Sequence, residues 1–128
     1  KAAIGWAGVY DLSVFLEYER TSDDTPDDFI YGVWRNRSGD RATQRAVVEA
    51  ASLRGRAAEI QCPVLLVHGE YDEIVPKSQS EIMRRALQSA GKSVDFIEVR
   101  NAGHGSWVDE VDLDLWRRYI AFLARAFA

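Results

Sequence analysis

Two residues in the second half of the chain, Asp72 and His104, have the chemistry and the local sequence expected of a proton-transfer pair. Asp72 follows an apolar run over residues 63–69, and His104 lies between two glycines after a strand-like run over residues 94–99. A carboxylate that accepts a hydrogen bond from an imidazole fixes its tautomer and stabilises the imidazolium formed when the ring takes a proton from a nucleophile. The two residues therefore predict a general base held by a carboxylate, provided that the fold brings them together.

A strand, a helix and a second strand are predicted between residues 62 and 105. The run over 63–69 is rich in β-branched residues, which favours a strand buried on both faces of a parallel sheet. Residues 78–90 have the spacing of an amphipathic helix, and Gly91 stands where a helix often ends on glycine. Such crossovers are almost always right-handed, so the loops after both strands lie at one sheet edge, where open α/β sheets place their chemistry. We therefore expect Asp72 and His104, 32 residues apart, within hydrogen-bond reach.

Other polar side chains near this pair leave alternatives open. Asp72 could simply favour the turn after the strand, and Glu70 and Glu73 are rival partners for the imidazole. His68, at the end of the first strand, is interpreted as structural. Cys62 is not expected to be a nucleophile, because nothing near it in the sequence would activate its thiolate. Two histidines and one cysteine without ligand spacing predict no metal site, and no cofactor is expected.

Several short motifs occur in a fixed order along this stretch. They are Pro63-Val-Leu-Leu-Val-His-Gly69, Asp72, Val75-Pro76, Gln79-Ser80, Met83, Ala90-Gly91-Lys92 and Gly103-His104-Gly105. Together they strongly resemble the C-terminal half of the α/β-hydrolase fold, in the form found in the prolyl oligopeptidase family of serine peptidases, which includes dipeptidyl and acylaminoacyl peptidases. The resemblance implies an α/β fold of about three parallel strands with flanking helices, in three layers. It also implies that Asp72 is the triad acid and His104 the triad base.

The triad nucleophile has no counterpart in the sequence. In this fold it stands before the acid and the histidine, on a G-x-S-x-G turn between a strand and a helix, and no such pentapeptide occurs here. We therefore expect the last portion of a longer serine hydrolase that acts on peptide or ester bonds and is inactive by itself. Its expected partner is the missing N-terminal half of the domain, or a second copy. The alternatives are a carboxylesterase or dienelactone hydrolase-like enzyme, with cysteine or aspartate as nucleophile, and a non-catalytic, self-associating interaction module.

The remaining parts of the chain are predicted to frame this unit. Residues 1–11 are expected to be a strand buried on both faces, with Asp11 as the cap of a following helix. Residues 12–60 form a helical segment that borders the substrate pocket in the resembling enzymes, and residues 61–128 carry both site residues. A helix is predicted to begin at Thr25. Phe29, Tyr31 and Trp34 in this segment are interpreted as packing residues. A C-terminal helix is predicted to bury an apolar stripe in the core, made of Leu113, Trp116, Tyr119, Ile120, Leu123 and Phe127.

Composition limits the partners that can be expected. The 128 residues are 47% hydrophobic and 28% charged, with a formal net charge of −4, as in a globular domain. This balance, without a basic stripe, argues against a nucleic-acid partner. No apolar run approaches the roughly 20 residues needed to span a bilayer, so no membrane partner is expected. A single cysteine cannot form a disulfide within the chain, which favours a reducing, cytoplasmic compartment.

Overall fold

The computed structural model describes residues 1–21, 41–105 and 109–128. The helix predicted from Thr25, with Phe29, Tyr31 and Trp34, lies outside these residues. The described elements are, in chain order, strand β1 (Ala3–Trp6), helix α1 (Leu12–Thr21), helix α2 (Arg41–Ala51), a 3₁₀ helix (Leu53–Glu59), strand β2 (Val64–Gly69), helix α3 (Ser78–Ser89), strand β3 (Val94–Val99) and helix α4 (Asp109–Phe127). Within these ranges, no helix combines the length and the apolar character needed to cross a lipid bilayer.

The strands form one parallel sheet in the order β1-β2-β3. Central strand β2 is buried along its whole length, as expected for a strand with neighbours on both sides and helices on both faces. Its side chains alternate between the faces: Leu66 packs with Met83 and Leu87 of α3, and Val67 packs with Tyr119 and Phe122 of α4. The prediction of about three parallel strands in a three-layer arrangement is confirmed.

Strand β1 is shorter and more exposed than the sequence predicts. The apolar run that opens the chain predicts burial on both faces, but the strand covers Ala3–Trp6, with Ile4 38% and Trp6 51% exposed. In the described part of the chain β1 pairs with β2 alone and stands at the sheet edge. The expectation of burial on both faces is therefore wrong for this chain, because an apolar sequence does not specify which element covers it.

Helix α1 begins where Asp11 was predicted to cap it. The Asp11 carboxylate oxygen Oδ1 accepts hydrogen bonds from the backbone N–H groups of Ser13 and Val14, at 3.1 and 3.2 Å. The other oxygen lies 2.8 Å from the Arg54 guanidinium, which joins the start of α1 to the 3₁₀ helix. The N-cap prediction is confirmed, and the carboxylate has a second role as an ion-pair partner.

Helix α3 also ends as predicted, on a glycine in the left-handed region. Gly91 has a φ of 68°, its N–H donates to the Gln88 carbonyl, and the N–H of Lys92 donates to the Leu87 carbonyl. This pair of bonds is a Schellman motif, which satisfies the last carbonyls of the helix and turns the chain toward β3. The reversal is part of the crossover that makes β2 and β3 parallel.

Helix α4 packs on the sheet through a different face from the one predicted. The buried residues are Leu115, Tyr119 and Phe122, which contact the sheet core. Of the predicted stripe Tyr119 is buried and Leu123 packs partly, whereas four members are more than half exposed (Leu113, Trp116, Ile120, Phe127). The prediction is wrong for these four. The helix is apolar on two adjacent faces, both of which satisfy a 3.6-residue period, and the shape of the sheet decides which one is buried.

Candidate active site

The loop after β2 holds the Asp72 carboxylate in a fixed direction. Its Oδ1 accepts hydrogen bonds from the backbone N–H groups of Ile74 and Val75, at 3.0 and 2.8 Å, so the side chain closes a local turn. The carboxylate is fully buried. Two local N–H donors satisfy one oxygen and leave the other for a partner from elsewhere in the fold.

The loop after β3 lies directly on the end of β2. The Tyr71 N–H donates to the Ala102 carbonyl at 2.9 Å, which joins the two loops. A Cβ atom on Gly69 would lie 2.1 Å from the Gly103 carbonyl oxygen and 2.5 Å from that of Ala102, both impossibly close. Gly69 therefore does more than end the strand: its missing side chain lets the second loop approach.

These two loops bring together the two residues that the sequence selects. His104 Nδ1 lies 2.9 Å from Oδ2 of Asp72 and 3.1 Å from Oδ1, although the residues are 32 positions apart. The imidazole is 45% exposed. Since the carboxylate accepts a hydrogen bond from Nδ1–H, Nε2 of His104 is the nitrogen that can accept a proton. The arrangement can therefore serve as a general base whose imidazolium form is stabilised by a buried negative charge. That His104 and Asp72 are catalytic stays a prediction.

The rival carboxylates have other environments. Glu70 accepts a hydrogen bond from the Asn101 backbone N–H at 3.0 Å through Oε2. Glu73 is exposed, and its backbone carbonyl accepts a hydrogen bond from the Tyr18 hydroxyl. Both acids are therefore close to Asp72 in sequence, but the described contacts favour Asp72 as the histidine's partner.

His68 contacts the site, and sequence reasoning missed this contact. It was interpreted as structural, and it is fully buried with both ring nitrogens hydrogen bonded. However, its Nε2 also lies 3.2 Å from Oδ2 of Asp72. The signal available in the sequence was the position of His68 at the end of the strand that leads into the Asp72 loop.

The only cysteine of the chain, Cys62, lies apart from this pair. Cys62 is a half-buried free thiol just before β2 begins, whereas the Asp72 loop follows the other end of that strand. In the described ranges, no three His, Cys, Asp or Glu side chains are grouped so that they could hold a metal ion.

Known proteins match this chain in family and in fold. The model of the prolyl oligopeptidase family matches residues 1–128. A protein of Methylorubrum extorquens named "Putative carboxymethylenebutenolidase" is 33% identical over 69 residues, which are 48% of this chain and 24% of that protein. A puromycin-hydrolyzing peptidase structure from Mycobacterium tuberculosis is 26% identical, with a TM-score of 0.83 over 98% of this chain and 18% of that one.

A more distant structure shares the same fold. The uncomplexed acylaminoacyl peptidase of Pyrococcus horikoshii has a TM-score of 0.75 at 22% identity, over 98% of this chain and 20% of that one. The chain thus spans about a quarter of the curated relative and about a fifth of these two solved chains.

Proposed function

Since the chain belongs to the prolyl oligopeptidase family, we propose that it is part of a serine peptidase-type hydrolase, and that Asp72 and His104 are the acid and the base of its catalytic triad. The observation that carries the proposal is the 2.9 Å contact between His104 Nδ1 and a buried Asp72 carboxylate. Two backbone N–H groups of its own loop hold that carboxylate through Oδ1. A fixed acceptor is what a triad acid needs, because it must orient the imidazole before the reaction begins.

In the proposed mechanism His104 moves the proton twice. Its Nε2 takes the proton of a serine hydroxyl while the serine oxygen attacks the carbonyl carbon of a peptide or ester bond. Asp72 stabilises the resulting imidazolium and keeps its own charge throughout. The imidazolium then gives the proton to the leaving group as the tetrahedral intermediate collapses to an acyl-enzyme. Water, activated by the same nitrogen, hydrolyses that intermediate.

We propose that the serine and the oxyanion hole come from the preceding part of the same polypeptide. The sequence contains no G-x-S-x-G turn, and the chain spans 18% of the M. tuberculosis peptidase chain. The proposed partner is therefore that preceding part, which would cover the exposed side chains of β1 (Ile4, Trp6). When it is absent, a second copy of the chain would take its place, because an open sheet edge favours strand pairing.

Labelling with a fluorophosphonate probe, which reacts with activated serines, tests this proposal. The 128-residue chain should remain unlabelled, and a polypeptide that continues upstream of Lys1 through the nucleophile turn should be labelled. His104→Ala in the longer polypeptide should abolish labelling, since no base remains to take the serine proton. Glu73→Gln is the matched control, because it removes a charge from the same loop without touching the proposed triad. Strong labelling of the 128-residue chain would refute the proposal.

The match to the protein named as a carboxymethylenebutenolidase favours a second candidate, a dienelactone hydrolase-like enzyme with a cysteine nucleophile. The same Asp72 and His104 would activate a thiol in place of a hydroxyl. Iodoacetamide should then block the longer polypeptide while the fluorophosphonate leaves it unlabelled. Cys62→Ser is the control, because Cys62 stands at the other end of β2 and its loss should not prevent inhibition.

A further inference from the structure

His68 is a fully buried polar side chain that the proposed triad does not use. It is the penultimate residue of β2, and its ring lies between helix α3 and the loop that carries Asp72. A buried imidazole is costly unless both nitrogens have partners. Both do: Nδ1 lies 2.7 Å from the Ser80 hydroxyl, and Nε2 lies 2.7 Å from the Val75 carbonyl oxygen.

These partners determine which nitrogen of His68 carries the proton. A carbonyl oxygen can only accept, so Nε2 must donate its N–H to Val75. The same nitrogen faces a second acceptor, Oδ2 of Asp72, at 3.2 Å. The Ser80 hydroxyl, which can donate or accept, holds the other nitrogen, Nδ1. The Nε2–H group is therefore fixed toward Val75 and Asp72.

His68 contacts both the Asp72 carboxylate and the loop that holds it. Val75 links the two residues, because its carbonyl accepts the His68 N–H while its own N–H donates to Oδ1 of Asp72 at 2.8 Å. The Nε2–H group also lies beside Oδ2, the oxygen that is 2.9 Å from His104 Nδ1. The carboxylate thus contacts two imidazoles, one fully buried and the other 45% exposed.

We propose that His68 is a positioning residue of the catalytic machinery, which keeps Asp72 directed at His104 through the Val75 backbone and through its own Nε2–H. It acts only through Asp72 and its loop, because a fully buried ring cannot touch the substrate. This inference rests on the proposed function, since it concerns the geometry of the triad acid. The proposed role distinguishes His68 from buried residues that only fill the core.

Steady-state kinetics of the longer polypeptide, with the active sites counted by fluorophosphonate titration, test the inference. His68→Leu removes both ring hydrogen bonds, so kcat per titrated site should fall about 10²-fold with KM unchanged, the scale expected for a misplaced catalytic group. His68→Gln can still offer an N–H to Val75, and kcat should recover to within about tenfold of the wild type on the same scale. A residue with a purely structural role would lower the melting temperature and leave kcat per titrated site unchanged.

Gln79→Leu is the matched control. Gln79 is equally buried and next to Ser80, but its side-chain hydrogen bonds go to the backbone of Tyr10 and Asp11. This variant should be destabilised and keep the wild-type kcat per titrated site. If His68→Leu does not fold, Ser80→Ala replaces it, because losing the hydroxyl removes the hydrogen bond that holds the ring at Nδ1 and should lower kcat severalfold.

Each outcome decides between the hypotheses. If His68→Leu folds and keeps the wild-type kcat, the proposed role of His68 is refuted and the proposed triad is unaffected. If His68→Leu does not fold, a wild-type kcat in Ser80→Ala leads to the same conclusion. A wild-type polypeptide that neither reacts with the probe nor hydrolyses esters would refute the proposed function, and the role of His68 with it.

Discussion

The loops that carry Asp72 and His104 are fixed by contacts within the chain, whereas β1 and the outer face of α4 expose apolar side chains. In the first region the Asp72 carboxylate is fully buried, with hydrogen bonds to both loops. In the second region Trp6, Trp116 and Ile120 are each more than half exposed. Large apolar side chains that are more than half exposed can mark surfaces that another protein segment covers.

The difference separates two kinds of information in one chain. The relative position of Asp72 and His104 is encoded locally, in a single strand-helix-strand unit. Burial of the exposed surfaces depends on contacts that the described residues do not supply. Variants in the first region should therefore change catalysis, and variants in the second region should change assembly.

The largest effect is expected from Asp72→Asn in the longer polypeptide. An amide in place of the carboxylate no longer enforces the correct tautomer of His104, and it removes the charge that stabilises the imidazolium. The value of kcat should fall about 10⁴-fold, the scale known for the equivalent change in a serine protease triad. Stopped-flow or steady-state ester hydrolysis measures it. A loss of less than tenfold would mean that another group holds His104 and that the first region is not fixed by Asp72.

Gly69→Ala should have the next largest effect, because it separates the two loops without changing a site residue. The new Cβ would lie 2.1 Å from the Gly103 carbonyl oxygen, so the backbone that precedes His104 must move. A displacement on this scale should lower kcat/KM about 10²-fold. Gly55→Ala is the control, since a Cβ there meets nothing within 4 Å. Equal activity of the two variants would show that the loops tolerate separation.

Much of the first region could be predicted from the sequence because its signals are local. The β-branched run, the 3.6-residue period of α3 and the glycine at position 91 each act within a few residues, and the handedness of the crossover then places both loops at one edge. The contact between His68 and Asp72 was missed because it depends on how α3 and the loop pack around the ring.

The second region was predicted less well because burial there depends on packing partners. Leu115, Tyr119 and Phe122 follow the same helical period as Trp116 and Ile120, so periodicity alone cannot show which set meets the sheet. Strand β1 poses the same problem: its apolar residues predict burial, and burial needs a neighbour that the described chain does not supply.

Acidic side chains introduced on the outer face of α4 test whether this face mediates association between copies of the chain. We expect the 128-residue chain to sediment as a dimer or larger species, and the double variant Trp116→Glu, Ile120→Glu to shift it toward monomer. Losing two buried apolar contacts of about 1.5–3 kcal/mol each would weaken association at least tenfold. Arg117→Glu, an exposed charge change on the same helix, is the control. Sedimentation velocity measures the species, and a monomeric wild-type chain would contradict the expectation.

The smallest effect, a change in stability, is expected from substitutions of Asp11, whose carboxylate caps α1 and pairs with Arg54. Burial raises the pKa of its carboxyl, but hydrogen bonds from Ser13 and Val14 and the charge of Arg54 together outweigh this effect, so the pKa lies below the ordinary value of 3.8. A carboxyl whose pKa is lower in the folded state stabilises the fold above its unfolded pKa, and the contribution disappears as the pH falls through the folded pKa.

Asp11→Ala should therefore lower the free energy of unfolding by about 1 kcal/mol at pH 7, the usual scale for a lost N-cap. The difference from the wild type should shrink as the pH falls below 3.8. Asp11→Asn keeps a capping oxygen without the charge, so it should lose less at pH 7 and show a weaker pH dependence. Urea unfolding of the longer polypeptide across this pH range measures both variants. A difference that stays constant into strong acid would show that the cap acts through its hydrogen bonds alone, independently of its charge and of Arg54.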